Sequence, residues 1–267
     1  MKRLMQEGTG LAVLAISIAI LGAQVLAAQE DNVARLLTET AAHPDQLDLR
    51  MELGDAAASL GNLDLALASF QKVLDRLEPE SRGAGDLHLR IGETYRRKGD
   101  LAAAAQSLTR ASQLLPDKPV VLGTLALVLD GSGRKSEAAR AYQATIDLDP
   151  ENAIAMNNLA FLLAEQGDDL DHAWRLAQRA IDLSEDDADV LDTAGWVQWK
   201  RKQIDSAVGL FALALTKDAD NVEVRKHLVM ALGARQDAVA GEARAMLEGA
   251  NGDSRKIMEA LRSLTAR

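Results

Sequence analysis

The chain has 267 residues, of which 48% are hydrophobic, 26% charged and only 3% aromatic, so it can bury a core and favours packed helices over sheets. Its net charge of −10, with Lys and Arg interleaved among the acidic residues, argues against nucleic acid as a partner. Because cysteine is absent, disulfides, zinc ribbons, thiol catalysis and the lipid-modified cysteine of a lipoprotein are excluded.

Residues 1–28 have the layout of an export signal. Two basic residues near the start precede an apolar run, Leu11–Ala23, and cleavage is predicted after Ala27 or Ala28. Three interpretations are open: a cleaved signal peptide, an uncleaved inner-membrane anchor over residues 10–28, or a buried helix of a cytoplasmic protein. The first two place the rest of the chain in the periplasm, because basic flanking residues stay on the cytoplasmic side.

Internal repeats follow a lead-in segment at 29–46, which is predicted to contain a helix over Asn32–Ala42. Each repeat places a tight-packing residue at the same point of its first half. Steps of 38, 34, 34, 35 and 34 residues separate these positions, which are Gly54, Gly92, Ala126, Ala160, Gly195 and Val229.

The second half of each repeat carries a small residue and, four positions or one helical turn later, a second packing residue. The pairs are Ala66 and Phe70, Ala104 and Leu108, Ala138 and Tyr142, Ala173 and Ala177, and Ala207 and Phe211. Two antiparallel helices approach closely where both present Gly or Ala, and large side chains fill the space beside those contacts. The alternation therefore predicts a pair of packed helices in every repeat.

Turn residues separate the two predicted helices of each repeat. In four repeats this turn contains a glycine, which readily adopts the left-handed backbone conformation that ends a helix. These residues are Gly61, Gly99, Gly133 and Gly167. Lys202 replaces that glycine in the fifth repeat, which predicts a modest strain. Asn62, Asp100 and Asp168 are the predicted caps of the following helices, and Ser81–Ala84 is predicted to lengthen one loop between repeats.

The period and the small-large pattern resemble those of the tetratricopeptide repeat (TPR) family. The resemblance implies an all-α fold, a right-handed superhelix of antiparallel helix pairs. Six units are predicted, the last interrupted by Gly233 and Gly241, and they cover residues 47–80, 85–118, 119–152, 153–187, 188–221 and 222–250. A final helix over 251–267, with Ile257, Leu261 and Leu264 on one side, is predicted to cap the stack.

In the TPR family, inward-facing positions of each first helix line a concave groove, so the resemblance implies a protein partner, either a peptide segment or a helix. The residues predicted to line this groove are Arg96, Asn157, Asn158, Phe161, Asp192, Trp196, Trp199, Lys200, Lys226 and Met230. The Lys-and-Asn clamp of chaperone-binding TPR domains is not reproduced, so recognition of an acidic C-terminus is not implied.

Two of these predictions have structural alternatives. Trp196 is expected to point into the groove because Leu191, Ala194 and Gly195 already fill the core side of its helix, yet it could instead pack against the neighbouring unit. The Asn157-Asn158 pair could bond the backbone of a bound peptide, or it could tie one helix to the next.

Catalytic and metal-binding patterns do not emerge from the sequence. None of the four histidines, His43, His88, His172 and His227, lies one turn from another. Gly131–Ser136 superficially resembles a phosphate loop but lacks its first glycine and follows a predicted helix, so we interpret it as a turn. No cofactor, metal or enzymatic activity is expected.

Within the TPR family, the chain resembles exported bacterial proteins of exopolysaccharide and exosortase (PEP-CTERM) systems. The segments that carry this resemblance are Asn157–Leu162, Asp168–Asp171, Asp192–Val197 and Val224–Leu228. This resemblance implies a non-catalytic periplasmic scaffold that assists the assembly or export of a polymer or surface protein. The alternative is a structural subunit that self-associates or bridges components of a membrane-bound complex.

Overall fold

The computed structural model describes residues 23–235, 237–250 and 252–265. Over these residues the chain forms fourteen α-helices and no strand, which confirms the all-α prediction. Residues 1–22, which hold most of the predicted export signal, lie outside the described part. Among the residues that are described, no helix combines the length and the hydropathy that a bilayer crossing requires.

The helices fall into two compact units. Unit 1, which ends at Pro116, contains α1 (23–42), α2 (Leu47–Leu60), α3 (Leu63–Leu74), α4 (Arg82–Lys98) and α5 (Leu101–Leu114). Unit 2, which begins at Asp117, contains α6 (Pro119–Gly131), α7 (Lys135–Leu148), α8 (Ala153–Gln166), α9 (Leu170–Leu183), α10 (Ala188–Lys200), α11 (Ile204–Lys217), α12 (Val222–Ala234), α13 (Ala238–Glu248) and α14 (Ser254–Thr265).

Within each unit the helices stack in sequence order. In unit 1, α2 packs on α3 and α4 on α5, and α3 also contacts α4. In unit 2, the pairs α6/α7, α8/α9, α10/α11 and α12/α13 follow one another, and α14 packs on α13. The first helices of successive pairs also meet, because α10 contacts both α8 and α12. This is the arrangement of a TPR solenoid.

Three of the hairpins contain a close approach between a glycine of the first helix and a large residue of the second. A Cβ atom on Gly195 would lie 2.5 Å from the Phe211 ring, and one on Gly92 would lie 2.6 Å from the Leu108 side chain. The same relation joins Gly54 to Phe70, and in all three cases the large residue comes sixteen positions later. Glycine is therefore required at these positions because a side chain would not fit, and not because the backbone has a positive φ angle.

The turns between paired helices have the predicted left-handed conformation. Gly61, Gly99, Gly133 and Gly167 have φ angles of 87°, 85°, 77° and 74°. Lys202 adopts φ 65°, which is the strained conformation expected where lysine replaces glycine. The Gly131–Ser136 segment ends α6 and begins α7, so it is a turn and not a phosphate loop.

Two of the three predicted caps are confirmed and one is wrong. The side chains of Asn62 and Asp100 accept hydrogen bonds from backbone N–H groups of the helices that follow them. In the fourth pair the cap is Asp169 and not Asp168, because the Asp169 carboxylate accepts from His172 N at 3.0 Å. Asp169 has φ 35°, so the extra residue of this turn is accommodated by a left-handed aspartate.

Two sequence-based boundaries also differ from the structure. Ser81–Ala84 does not lengthen a loop: Ser81 caps α4 through Ala84 N, and the next three residues form the first turn of that helix. Helix α1 does not begin at Asn32, since the described helix already includes Ala23. Gly233 and Gly241, which interrupt the repeat pattern of the sixth unit, lie inside α12 and α13. Packing on neighbours outweighs the low helix propensity of a single glycine.

We expect Gly195→Ala to lower the free energy of unfolding by about 2 kcal/mol, because the new methyl group overlaps the Phe211 ring. The matched control is Gly209→Ala on α11, where a Cβ meets nothing within 4 Å. That change should raise stability by about 0.5 kcal/mol through helix propensity. Chemical denaturation followed by circular dichroism measures both, and equal effects would contradict the close-approach argument.

Replacing the strained lysine should stabilise the protein. Lys202→Gly is expected to raise the free energy of unfolding by about 0.5 kcal/mol, since relief of the positive φ exceeds the entropy cost of glycine. The reciprocal change, Gly99→Lys, should lower it by about 1 kcal/mol, although a Cβ at Gly99 meets nothing within 4 Å. Thermal melting of both variants tests the prediction, and a less stable Lys202→Gly protein would refute it.

Candidate functional site

The solvent-facing side of α8 carries a stripe of four residues: Ile154, Asn157, Phe161 and Glu165. Their spacings of three, four and four positions place them on one side of the helix. Ile154 is 71% exposed and Phe161 is 39% exposed. Two large apolar side chains are thus open to solvent two turns apart on the same helix.

Helix α10 repeats this spacing in the next pair. Asp189, Asp192, Trp196 and Lys200 lie at the positions that correspond to the four residues of the α8 stripe. On α12 the corresponding residues are Glu223, Lys226 and Met230. Because α10 contacts α8 and α12, the three stripes lie side by side in unit 2.

Glu165 joins the α8 stripe to the α10 stripe. Its Oε1 atom accepts a hydrogen bond from Trp196 Nε1 at 2.8 Å and lies 3.2 Å from Lys200 Nζ. Lys200 Nζ is also 5.1 Å from the centre of the Trp196 ring, within the range of a cation–π contact. One carboxylate therefore orients both the indole and the ammonium group.

His227 joins α10 to α12. Its Nδ1 atom lies 2.8 Å from Asp192 Oδ1, and its ring centre is 4.8 Å from that of Trp196. On the core side the Phe211 ring lies 5.4 Å away. Trp196 is thus held by groups from the helices on both sides of α10.

We call the surface formed by the three stripes and His227 the Trp196 face; its members are Ile154, Asn157, Phe161, Glu165, Asp189, Asp192, Trp196, Lys200, Glu223, Lys226, His227 and Met230.

Of the residues predicted to line a groove, seven lie on the Trp196 face: Asn157, Phe161, Asp192, Trp196, Lys200, Lys226 and Met230. Trp196 combines the two interpretations given above, because it is half-buried against the core cluster that contains Phe211 and also belongs to the open stripe of α10. Trp199 is half-buried against the same cluster. Arg96 lies on α4 in unit 1, where its side chain is exposed.

The two asparagines of α8 have different surroundings. Asn158 is half-buried near the hydroxyl of Tyr142 on α7, but the two groups do not reach good hydrogen-bond geometry. Burial raises the pKa of Tyr142, so the phenol stays neutral. Asn157 belongs to the open stripe, and its Oδ1 atom is buried without a hydrogen-bond partner.

Negative charge concentrates where α10 begins. Partial desolvation of its carboxylate raises the pKa of Asp189, and the nearby carboxylates of Asp187, Asp192 and Asp218 raise it further. By contrast, the hydrogen bond from Lys226 lowers the pKa of Glu223. Asp189 is exposed, and every charged group that shifts its pKa is another carboxylate. This end of the Trp196 face is therefore complementary to a basic group.

Glu165 and His227, which connect the three stripes, were missed by the sequence analysis. Glu165 lies one turn after Phe161, so the helical spacing could have identified it. His227 immediately follows the predicted groove residue Lys226 in the sequence. In the described part of the chain, no group of three or more His, Cys, Asp or Glu side chains is arranged to hold a metal ion.

The comparisons with known proteins agree with this architecture. Family models described as tetratricopeptide repeat match residues 33–81 and 124–188 and, with a second model, residues 85–118. The chain is 25% identical over 206 residues to the TPR repeat-containing protein PA4667 of Pseudomonas aeruginosa, which covers 76% of the chain and 34% of that protein.

Two further similarities bear on function and fold. Cellulose synthase operon protein C of Xanthomonas axonopodis pv. citri is 30% identical over 159 residues, or 55% of the chain and 10% of that protein. The chain therefore spans about a third of the length of PA4667 and about a tenth of the length of cellulose synthase operon protein C. The crystal structure of YrrB, described as a TPR protein with an unusual peptide-binding site, superposes with a TM-score of 0.60 at 18% identity, covering 71% of the chain and 95% of YrrB.

The 34-residue spacing, the glycine-to-ring contacts of the hairpins and the matching family models lead to one conclusion: the chain belongs to the tetratricopeptide repeat family.

Proposed function

We propose that this protein is a non-catalytic scaffold that binds a segment of a partner protein on the Trp196 face. The observation that carries the proposal is the exposure of Ile154 and Phe161 beside an indole that is already fixed in place. Proteins of the TPR family mediate protein–protein interactions, and YrrB is described as having a peptide-binding site.

The geometry of Trp196 suits it to anchor a partner. Glu165 holds the indole N–H, and His227 lies against the ring, so little side-chain entropy remains to be lost on binding. Rigid, partly exposed aromatic side chains are enriched among the residues that dominate binding energy. Phe161 and Ile154 extend the apolar surface along α8, so a partner segment with at least one large apolar side chain is the best match.

The acidic end of the same face favours a basic group on the partner. Asp189 is exposed among carboxylates, and an incoming Lys or Arg would stabilise its ionised form. Lys226 is paired with Glu223 at 2.7 Å and does not neutralise this region. The proposed ligand is therefore a segment that carries an apolar anchor and a basic residue.

We further propose that the protein acts in the bacterial cell envelope, in the assembly or export of a polysaccharide or surface protein. Three features support this proposal: the export-signal layout of residues 1–28, the relative named for a cellulose synthase operon, and the resemblance to proteins of exopolysaccharide and exosortase systems. In α1 the first buried residue is Val33, so cleavage after Ala27 or Ala28 would leave the described core contacts intact.

We expect Trp196→Ala to weaken partner binding more than tenfold and to lower the free energy of unfolding by about 2 kcal/mol. The matched control is Trp174→Ala on α9, where the ring lies 5.8 Å from Arg201 Cζ and is also half-buried. That variant should lose similar stability and keep its binding.

Photo-crosslinking in cells, with p-benzoylphenylalanine in place of Phe161, captures the partner. The same group in place of the exposed Gln178 on α9 is the negative control.

Crosslinking that is equally strong from positions 161 and 178, or a partner captured equally well by the Trp196→Ala protein, would refute the proposed binding face. Equal loss of binding in the two tryptophan variants would show that the effect comes from stability alone.

The proposed export has its own test. Mass spectrometry of the protein purified from the envelope fraction should find a new N-terminus after Ala27 or Ala28, or the intact chain in the inner membrane if the segment is an anchor. Replacing Lys2 and Arg3 with glutamate should retain the full-length chain in the cytoplasm, because the basic residues set the orientation of the signal. Full-length, soluble cytoplasmic protein in the unmodified strain would refute the proposal.

A further inference from the structure

Unit 1 contains a cleft of about 490 Å³ that is lined by residues of α3, α4 and α5. The residues that α4 contributes lie on one side of that helix, at spacings of three and four positions; they are His88, Ile91 and Tyr95. The α4 residues that correspond to the α8 stripe are Asp86, Leu89 and Glu93. By helical geometry these face the opposite side of α4, so the cleft is separate from the surface that carries the stripes.

The lining of this cleft is polar but has almost no net charge. Its uncharged hydrogen-bonding side chains on α3 and α5 are Gln71, Gln106, Ser107, Thr109 and Gln113. Among the described residues of the lining, Arg110 is the one permanent charge, and its guanidinium pairs with Glu80 and donates to the Pro79 carbonyl at 3.2 Å. A charged ligand would therefore lose hydration in the cleft without finding a free opposite charge.

Four polar groups of the lining remain available to a ligand. The side chains of His88, Tyr95, Gln106 and Ser107 form no hydrogen bond to any residue that the structure describes. Partial desolvation lowers the pKa of His88, and the nearby guanidinium of Arg110 lowers it further, so the imidazole is neutral at neutral pH. A neutral imidazole donates at one ring nitrogen and accepts at the other, and the Gln106 amide also does both.

An apolar surface lies beside these polar groups. Ile91 is buried, whereas Leu74 and the Tyr95 ring are half-buried and pack against the core cluster that contains Ile91. A wholly apolar ligand would cover the amides and hydroxyls without replacing their hydrogen bonds to water. A pyranose ring matches both parts, because it presents C–H groups on its faces and uncharged hydroxyl groups around its edge.

We propose that this cleft is a carbohydrate-binding site, which takes a short stretch of a neutral polysaccharide. A sugar ring lies against Tyr95 and Leu74, and its hydroxyls exchange hydrogen bonds with Gln106, Ser107 and His88. The volume of the cleft is in the range of ordinary ligand sites. The proposal rests on this cleft and not on the Trp196 face or the proposed role in the cell envelope, so each can fail without the others.

The test uses the full chain labelled with nitrogen-15 and three soluble trisaccharides: cellotriose and maltotriose, which are neutral, and trigalacturonic acid, which is charged. Titration followed by NMR reports on the side-chain amide of Gln106 and on the indole N–H of Trp196. At least one neutral trisaccharide should shift the Gln106 signal until it saturates and leave the indole signal in place. Trigalacturonic acid should bind about tenfold more weakly, because the cleft offers it no free positive charge.

Variants locate the site, with affinities measured by isothermal titration calorimetry. Gln106→Ala should weaken binding of the neutral sugar about fivefold, because one amide that donates and accepts is lost. The matched control is Gln178→Ala on α9, also an exposed glutamine of a second helix, which should leave the affinity within about twofold. Ala103→Leu puts a larger side chain into the cleft and should weaken binding about tenfold. Circular dichroism melts separate loss of binding from loss of folding.

Several results would overturn the proposal. Shifts confined to the Trp196 indole would place the sugar on the Trp196 face, and equal affinities of the Gln106→Ala and Gln178→Ala proteins, or normal binding by a folded Ala103→Leu protein, would place it elsewhere. Equally tight binding of trigalacturonic acid would remove the charge argument. The carbohydrate class itself is wrong if neither neutral trisaccharide gives a saturable shift, or if a capped peptide of glycine and asparagine shifts the Gln106 signal at lower concentration than both.

Discussion

The contact between a glycine on the first helix and a large residue on the second is the constraint on which the α2/α3, α4/α5 and α10/α11 hairpins depend. Phe211 occupies the space that a side chain on Gly195 would need, and Leu108 does the same opposite Gly92. Close approach of two helix backbones excludes water from the pair and leaves only one side of the first helix uncovered. That uncovered side carries the stripes at spacings of three and four residues, so the core packing decides which residues can meet a partner.

Contacts between stripes turn separate helices into one surface. Glu165 and Trp196 are 31 residues apart, and Asp192 and His227 are 35 apart, so each contact crosses from one repeat to the next. The exposed ion pairs of the chain contribute little to stability individually. The contacts between stripes instead fix an orientation. The hydrogen bond from Trp196 and the ring of His227 hold in one orientation an aromatic side chain that would otherwise sample several rotamers.

The Trp196 face combines apolar side chains with carboxylates, as at Asp189 where α10 begins. Solved structures of low sequence identity share the fold. Specificity must therefore come from residues outside the repeat pattern, since the pattern residues are buried in the hairpins.

Local spacing in the sequence determined the helix pairs, the turns and much of the candidate face. The sixteen-residue relation between Gly195 and Phe211 and the left-handed turn at Lys202 follow from short-range packing and backbone angles, which sequence encodes directly. Tertiary structure alone decided the rest. Which carboxylate receives the Trp196 N–H and which ring lies against the indole depend on how neighbouring helices are placed. These placements arise from contacts between residues about one repeat apart, and no local pattern specifies which side chains will meet there.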